Sequence, residues 1–390
     1  MRKQIYVFLI VLMLLTLGTL IGTSSVAHAD GGAPNLAYVV GASGGVAVID
    51  VQQQKVVKTI QVTGDPHLVA LSADGRFLYV TQPQLHRLSI IAAKTGDSVC
   101  SADIPGTPDL VLLDPNVNLL YVGGSQSPTV TVVDATNCTI KRQIETAGPV
   151  YGLSYAIVGL TTPGKTGEQL WVSNEKVISI YDDVNGNALG SVSVPQGPRY
   201  LSSPPGSTVY ATTAQHSVVA INIATPHTVM PLISGGSYGP MDFDETTGVV
   251  YVPDATSHQL IALTPVSAGS SIPKEPNHEI PLDTVPRSVA ITSDGQLAFI
   301  ALSSGDASMY DIPGHQFVTK IHTGGSPQFI ITGLYPPSLG TTPTQASFWN
   351  NFALIAGYII VIALLIVPFI LFRRYSRTRK IAQANEENPS

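Results

Sequence analysis

The feature that most constrains this chain is a sevenfold internal repeat. An aromatic residue followed by small or β-branched residues recurs at Tyr38, Tyr79, Tyr121, Trp171, Tyr210, Tyr251 and Phe299, with a period of about 40 to 50 residues. Around each aromatic the same order of segments returns. An aliphatic-aromatic strand (RFLYVTQ, NLLYVGG, GVVYVPD) is followed by an alternating strand (GVAVID, TVTVVD, VISIYD). A third (KVVKTIQV, CTIKRQIE, FVTKIHT) is reached through turns such as KTGD, TNCT and VNGN, whose Gly and Asn tolerate the positive φ of tight hairpins. A fourth comes after a Gly/Pro-rich loop, as in DPHLVALSADG, TPDLVLLDPN and VPRSVAITSDG. One such small twisted sheet cannot bury two apolar faces alone, so the copies must stack side by side and close into a ring. The predicted fold is all-β, a seven-bladed β-propeller.

Counting strands also predicts how the ring closes. The repeat region begins at an aromatic strand, Ala37 to Val40, with no inner strand before it, and ends with an unpaired inner strand, SPQFIITGL, at about Ser326 to Leu334. Together these make one whole blade. The strand at Gln328 to Ile331 should therefore pair beside Leu36 to Val40, tying the two ends of the ring together.

The repeats resemble the YVTN β-propeller family, which is related in pattern to the repeats of surface-layer and cell-surface proteins. The resemblance spans about Ala37 to Leu334. It rests on YVTQ at Tyr79, YVGG at Tyr121, WVSN at Trp171, strand ends at Asp50, Asp134, Asp182 and Asp311, and SADG and TSDG ahead of aromatic strands. No copy carries the whole YVTN tetrad. What the resemblance implies is extracellular binding or adhesion.

The flanks predict export and anchoring. Met1-Arg2-Lys3, an apolar run from Ile5 to about Ile21 and Ala27-His28-Ala29 have the three parts of a secretory signal peptide, with cleavage after Ala29. Phe352 to Phe372 is almost wholly apolar and long enough, at about 1.5 Å per residue, to cross a hydrocarbon core of about 30 Å. Arg373, Arg374, Arg377, Arg379 and Lys380 follow as a cytoplasmic flank. The expected organisation is a signal peptide (1–29), a propeller ectodomain (30–335), a Pro/Thr/Ser-rich linker (336–351), one transmembrane helix (352–372) and a basic cytoplasmic tail (373–390). The propeller would then face the cell exterior or periplasm. The remainder between the leader and the tail carries 13 Lys and Arg against 24 Asp and Glu, a net charge of −11. Such an acidic body is a poor partner for nucleic acid or anionic lipid. The partners expected are the membrane, through the single helix, and an extracellular protein or small anionic ligand.

Candidate chemistry follows from the repeat. Loops leading into the inner strands converge on one mouth of the central channel. The residue after each loop proline is His67, Asp109, Val150, Arg199, Arg287 or Gln328, and the sixth copy, which reads YGPMDFD, offers Gly239 or Met241. The five polar members, His67, Asp109, Arg199, Arg287 and Gln328, read either as an anion-binding ring with two arginine forks or as a solvated mouth tied by salt bridges such as Asp109 with Arg199 or Arg287. The histidines His67, His86, His216, His227, His258, His278, His315 and His322 are scattered and have no metal-ligand spacing. No nucleophile elbow or phosphate loop is found, and no metal or cofactor is expected. Asp50, Asp134, Asp182 and Asp311 are expected to accept backbone hydrogen bonds in the turns that follow them. Cys100 and Cys138 either form one disulfide, as export permits, or remain two thiols where neighbouring blades fan apart beyond the roughly 7 Å limit for bridging. Asn137-Cys138-Thr139 is a glycosylation sequon. The function that fits is a non-enzymatic binding or scaffolding module. The alternative is a lactonase-like propeller hydrolase with a channel metal, for which the ring offers only Asp109 and Gln328 as ligands.

Overall fold

The computed structural model describes residues 35–114, 116–158, 167–266 and 278–333. The expected leader, linker, membrane span and basic tail lie outside these residues. Among the described residues, no helix is long and apolar enough to cross a membrane.

The described strands form seven four-stranded antiparallel sheets. In six of them the strands follow chain order from the channel outward. Blade 2, for example, runs Val69–Leu71, Phe77–Gln82, Arg87–Ala92 and Ser98–Asp103. Blade 1 is assembled from both ends of the repeat region, with Phe329–Gly333 inside Leu36–Ala42, then Gly45–Asp50 and Lys55–Gln61. The closing pair forms as expected, with Val40 opposite Phe329 and Tyr38 opposite Ile331. The Gln328 amide extends it by donating to the Val40 carbonyl at 2.9 Å.

The apolar alternation of each strand is spent between blades. Seven clusters of buried side chains each join two neighbouring blades. Ala37, Val39 and Ile330 of blade 1 pack with Phe299 and Met309 of blade 7, and Tyr121 and Val132 of blade 3 pack with Leu170 and Val172 of blade 4. The repeat aromatics Tyr38, Tyr121, Trp171, Tyr210 and Phe299 are among the largest fully buried side chains. An aromatic ring removes about 150 to 250 Å² from water, worth about 4 to 6 kcal/mol at the usual area coefficient. That is why a large ring recurs once per blade while neighbouring positions vary.

Turn chemistry follows the sequence reading. Asp50 accepts from the Gln53 amide, Asp134 from Thr136, Asp182 from Val184 and Asn185, and Asp311 from Gly314. In the turns SADG and TSDG, the hydroxyls of Ser72 and Thr292 donate to Asp74 and Asp294 and accept from the amides of Phe77 and Leu297.

Cys100 and Cys138 are joined in a disulfide, with Cα atoms 6.0 Å apart. The blades do not fan too far there, because Cys138 takes a left-handed conformation (φ 60°) in the turn between the third and outer strands of blade 3. That turn reaches the outer strand of blade 2, where Cys100 sits.

Candidate functional site

The seven inner strands are parallel to one another around the axis, so residues at equal distance from the aromatic pairing lie at one level. Ala70, Leu112, Ser154, Ser202, Asp242, Ala290 and Ile331 stand opposite the seven aromatics. Three residues earlier come His67, Asp109, Tyr151, Arg199, Gly239, Arg287 and Gln328. The five polar residues singled out from sequence therefore share one level at the mouth. Blade 4 contributes Tyr151 and not Val150, which is fully buried. Counting from the proline fails there because the loop carries one extra residue. In blade 6 the member is Gly239 and not Met241.

Local hydrogen bonding shapes this mouth. The inner strands of blades 2 and 5 begin irregularly, which leaves backbone amides without a ladder partner. Thr81 and Thr212, each two residues after its repeat aromatic, accept from the amides of Leu68 and Tyr200 at 2.9 and 3.1 Å. Ser173, at the same position in blade 4, donates to the Arg199 carbonyl. The hydroxyl in the third place of YVT is thus a device for anchoring inner strands.

The mouth residues are not tied to one another by ion pairs. Asp109 accepts from the Ser125 amide and hydroxyl at 3.2 and 2.9 Å. The Arg199 guanidinium lies over the Tyr151 ring, 3.8 Å from its centroid, a cation–π contact. Burial raises the Tyr200 hydroxyl pKa; the Asp109 charge adds to this and the Arg199 charge opposes it. Asp109, Tyr151, Arg199 and Tyr200 thus share one arc across blades 3, 4 and 5. Arg199 leans onto Tyr151 of blade 4, and Arg287 is exposed on blade 7. His67 is half-buried on blade 2, and Gln328 on blade 1 donates to the Ser326 hydroxyl at 3.2 Å.

Beyond the mouth the channel encloses a cavity of about 660 Å³, walled largely by apolar side chains such as Leu68, Leu110, Leu201, Met241, Val289 and Phe329. Asp242 and Glu245 are its acidic lining residues. Asp242 is half-buried on the cavity wall. Burial pushes its carboxyl up to about 6, although hydrogen bonds from the Ile291 and Phe243 amides oppose the shift. Its Oδ2 accepts from the Ile291 amide of blade 7 at 2.7 Å. Sequence reasoning noticed the departure YGPMDFD but not its consequence, a carboxyl at a level where Ala70, Leu112 and Ala290 stand in other blades.

Several histidines are structural. His86, His216, His258 and His315 adopt left-handed turns, and Nδ1 of His86 and of His216 meet the carbonyls of Gly106 and Gly236. Those contacts pin hairpin tips to the following loops.

No protein-family model matches the chain, and no curated protein matches it. Solved structures do. The periplasmic gluconolactonase of Pseudomonas aeruginosa superposes with a TM-score of 0.62 at 14% identity, covering 77% of this chain and 99% of the other. A functionally unknown protein from Desulfotomaculum acetoxidans gives 0.62 at 13% identity, with 78% and 100% covered. Hydrazine synthase of Kuenenia stuttgartiensis gives 0.57 at 16% identity, with 71% and 92% covered. Proteins of such different description share this architecture, so the likeness establishes a seven-bladed β-propeller and leaves function to the site.

Proposed function

We propose that this chain is a membrane-anchored, extracellular propeller of the YVTN repeat type that binds a small anionic ligand at the mouth of its channel and does not transform it. The observation that carries the reading is the arc where Arg199 is held over Tyr151 beside a cavity of about 660 Å³. A guanidinium already stacked on a ring loses little rotamer freedom on binding, and its outward N–H groups suit a carboxylate or phosphate. The apolar wall below would take an aliphatic or ring portion of the same ligand. In a body of net charge −11, such a local positive spot focuses anions that the overall field repels. Asp109 on the same arc selects for a hydroxyl or amine next to the anionic group, with His67, Arg287 and Gln328 completing the rim.

The test is calorimetry of the purified full-length protein with gluconate, hexanoate, citrate and inorganic phosphate. Binding of at least one is expected, weakened about tenfold or more by Arg199→Gln and less by Arg287→Gln, as the loss of a charge-assisted hydrogen bond implies. Equal affinities in Arg199→Gln and wild type would move the site to the outer surface of the ring. Turnover of any panel member would overturn the non-enzymatic part of the reading.

A further inference from the structure

Blades 3 and 4 meet at three carboxylates that the channel does not use. Asp114 ends the inner strand of blade 3, Glu168 begins the second strand of blade 4, and Asp183 directly follows that blade's third strand. One oxygen from each lies within 4.8 Å of one oxygen from each of the others. Asp114 and Asp183 are 2% and 6% exposed. None of the three lines the cavity.

Two comparisons within the repeat mark this group as unusual. At the level of Asp183 the other blades carry Val51, Ala93, Ala135, Ile223, Pro265 and Ile312, and several of these belong to the apolar clusters between blades. An acid has replaced a core residue once in seven. At the level of Asp114, blade 6 carries Asp244, whose two carboxylate oxygens are satisfied within its own turn by Thr246 and Thr247. Among the described residues, Asp114 takes only the Asn116 amide on Oδ1 at 2.9 Å, and its Oδ2 is buried with no partner there. A buried acceptor left unpaired is destabilising, more so when charged. Nearby basic groups do not neutralise the cluster. Arg142 donates to the carbonyls of Asp183 and Val184 at 2.5 and 2.9 Å, and no ion pair among the described residues involves the three acids.

We propose that Asp114, Glu168 and Asp183 form a divalent-cation site, selective for calcium, that fastens blade 3 to blade 4. Three atoms mutually within 4.8 Å all fall within about 2.8 Å of a common point, and small side-chain rotations bring them to the 2.3 to 2.6 Å typical of calcium. An all-oxygen, irregular donor set suits calcium better than zinc, which favours nitrogen and sulfur, or magnesium, which demands a near-ideal octahedron. The Asn116 amide, which now holds Glu168 Oε1 at 2.8 Å, offers a further carbonyl oxygen after a half-turn. Tyr155 belongs to the same neighbourhood, its ring edge-on to Tyr121 at 5.6 Å.

The experiment uses full-length protein in detergent, stripped with EGTA and titrated with calcium or magnesium chloride, read by calorimetry and thermal unfolding. Terbium chloride gives a third readout, since tyrosine excitation through Tyr121 and Tyr155 would sensitise a lanthanide held there. Saturating calcium is expected to raise the transition by about 5 °C, with magnesium less effective at equal concentration. Glu168→Gln should weaken calcium at least tenfold while the stripped protein melts near the wild type. Asp183→Ala, which restores the residue of blades 2 and 3, should abolish the calcium shift and leave the stripped protein at least as stable as wild type. No binding heat and no shift up to about 10 mM calcium, weaker than the usual range for extracellular calcium modules, would overturn the site. So would undiminished affinity in Glu168→Gln, which decides the matter if Asp183→Ala does not fold.

Discussion

Asp242 shows how one residue can depart from a repeat and keep the fold. It stands where other blades carry Ala70, Leu112 or Ala290, pairs with Tyr251 within its own blade and ties that blade to the next by accepting the Ile291 amide. The folded carboxyl holds its proton up to about 6, against an ordinary carboxyl value of 3.8. The native state therefore binds more protons between those values, and stability contributed by the neutral acid is lost as pH rises from about 4 to about 6. Asp242→Asn keeps an acceptor for Ile291 and removes the ionisation. At pH 7.5 it should be more stable than the wild type by about 2 to 3 kcal/mol, the linkage value of such a shift, and the difference should vanish below about pH 4. Chemical denaturation at both pH values checks this, and equal stability at pH 7.5 would show that burial does not perturb the carboxyl. Tyr151 makes a similar point at the mouth. Replacing it with Leu removes the platform under Arg199, and anion affinity should fall about fivefold, a cation–π contact of about 1 kcal/mol.

Among the elements, the inner strand Phe329–Gly333 bears most on the whole because it is the piece that completes blade 1. Ile330 is fully buried between blades 1 and 7, and its amide donates to the Ser288 hydroxyl at 3.0 Å. A charge there faces apolar walls on both sides, so Ile330→Asp should cost at least about 3 kcal/mol and open the ring at its seam. A thermal transition unchanged from wild type would count against closure by this strand. The disulfide acts at the rim between blades 2 and 3. Cys100 and Cys138 are 38 residues apart in sequence, and cross-linking a loop of that length restricts the unfolded chain by about 4 kcal/mol in the chain-entropy account. The double Cys→Ser variant should lose about 2 to 4 kcal/mol in denaturant titration without a change in blade number.

At the scale of the whole molecule, seven interblade clusters distribute stability around the ring, and no blade has a core of its own. Local damage should therefore weaken two neighbouring junctions first. The proposed topology has a test that does not depend on any ligand. If the propeller lies outside a single C-terminal helix, protease added to intact cells should release a large soluble fragment by cutting between Pro336 and Ser347, a Pro/Thr/Ser-rich stretch. Full protection of the propeller would refute that placement.

The repeat alone determined the blade count, the strand order and the seam, because a period-2 apolar pattern with one aromatic per copy can be buried only between neighbouring blades. It also placed five polar residues at one level, since position along an inner strand is a matter of counting from the aromatic. Tertiary structure decided what counting cannot reach. An extra loop residue moved blade 4's member from Val150 to Tyr151, and the Arg199 guanidinium lies over that ring. A left-handed residue at Cys138 brought two sulfurs together that the repeat alone left at the spreading rim. Asp114, Glu168 and Asp183 come from segments far apart in sequence with no motif between them, and they became neighbours only when two blades packed. Periodicity specifies which face of a strand is apolar, whereas the meeting of particular side chains across a junction depends on loop length, φ and packing, which carry no period.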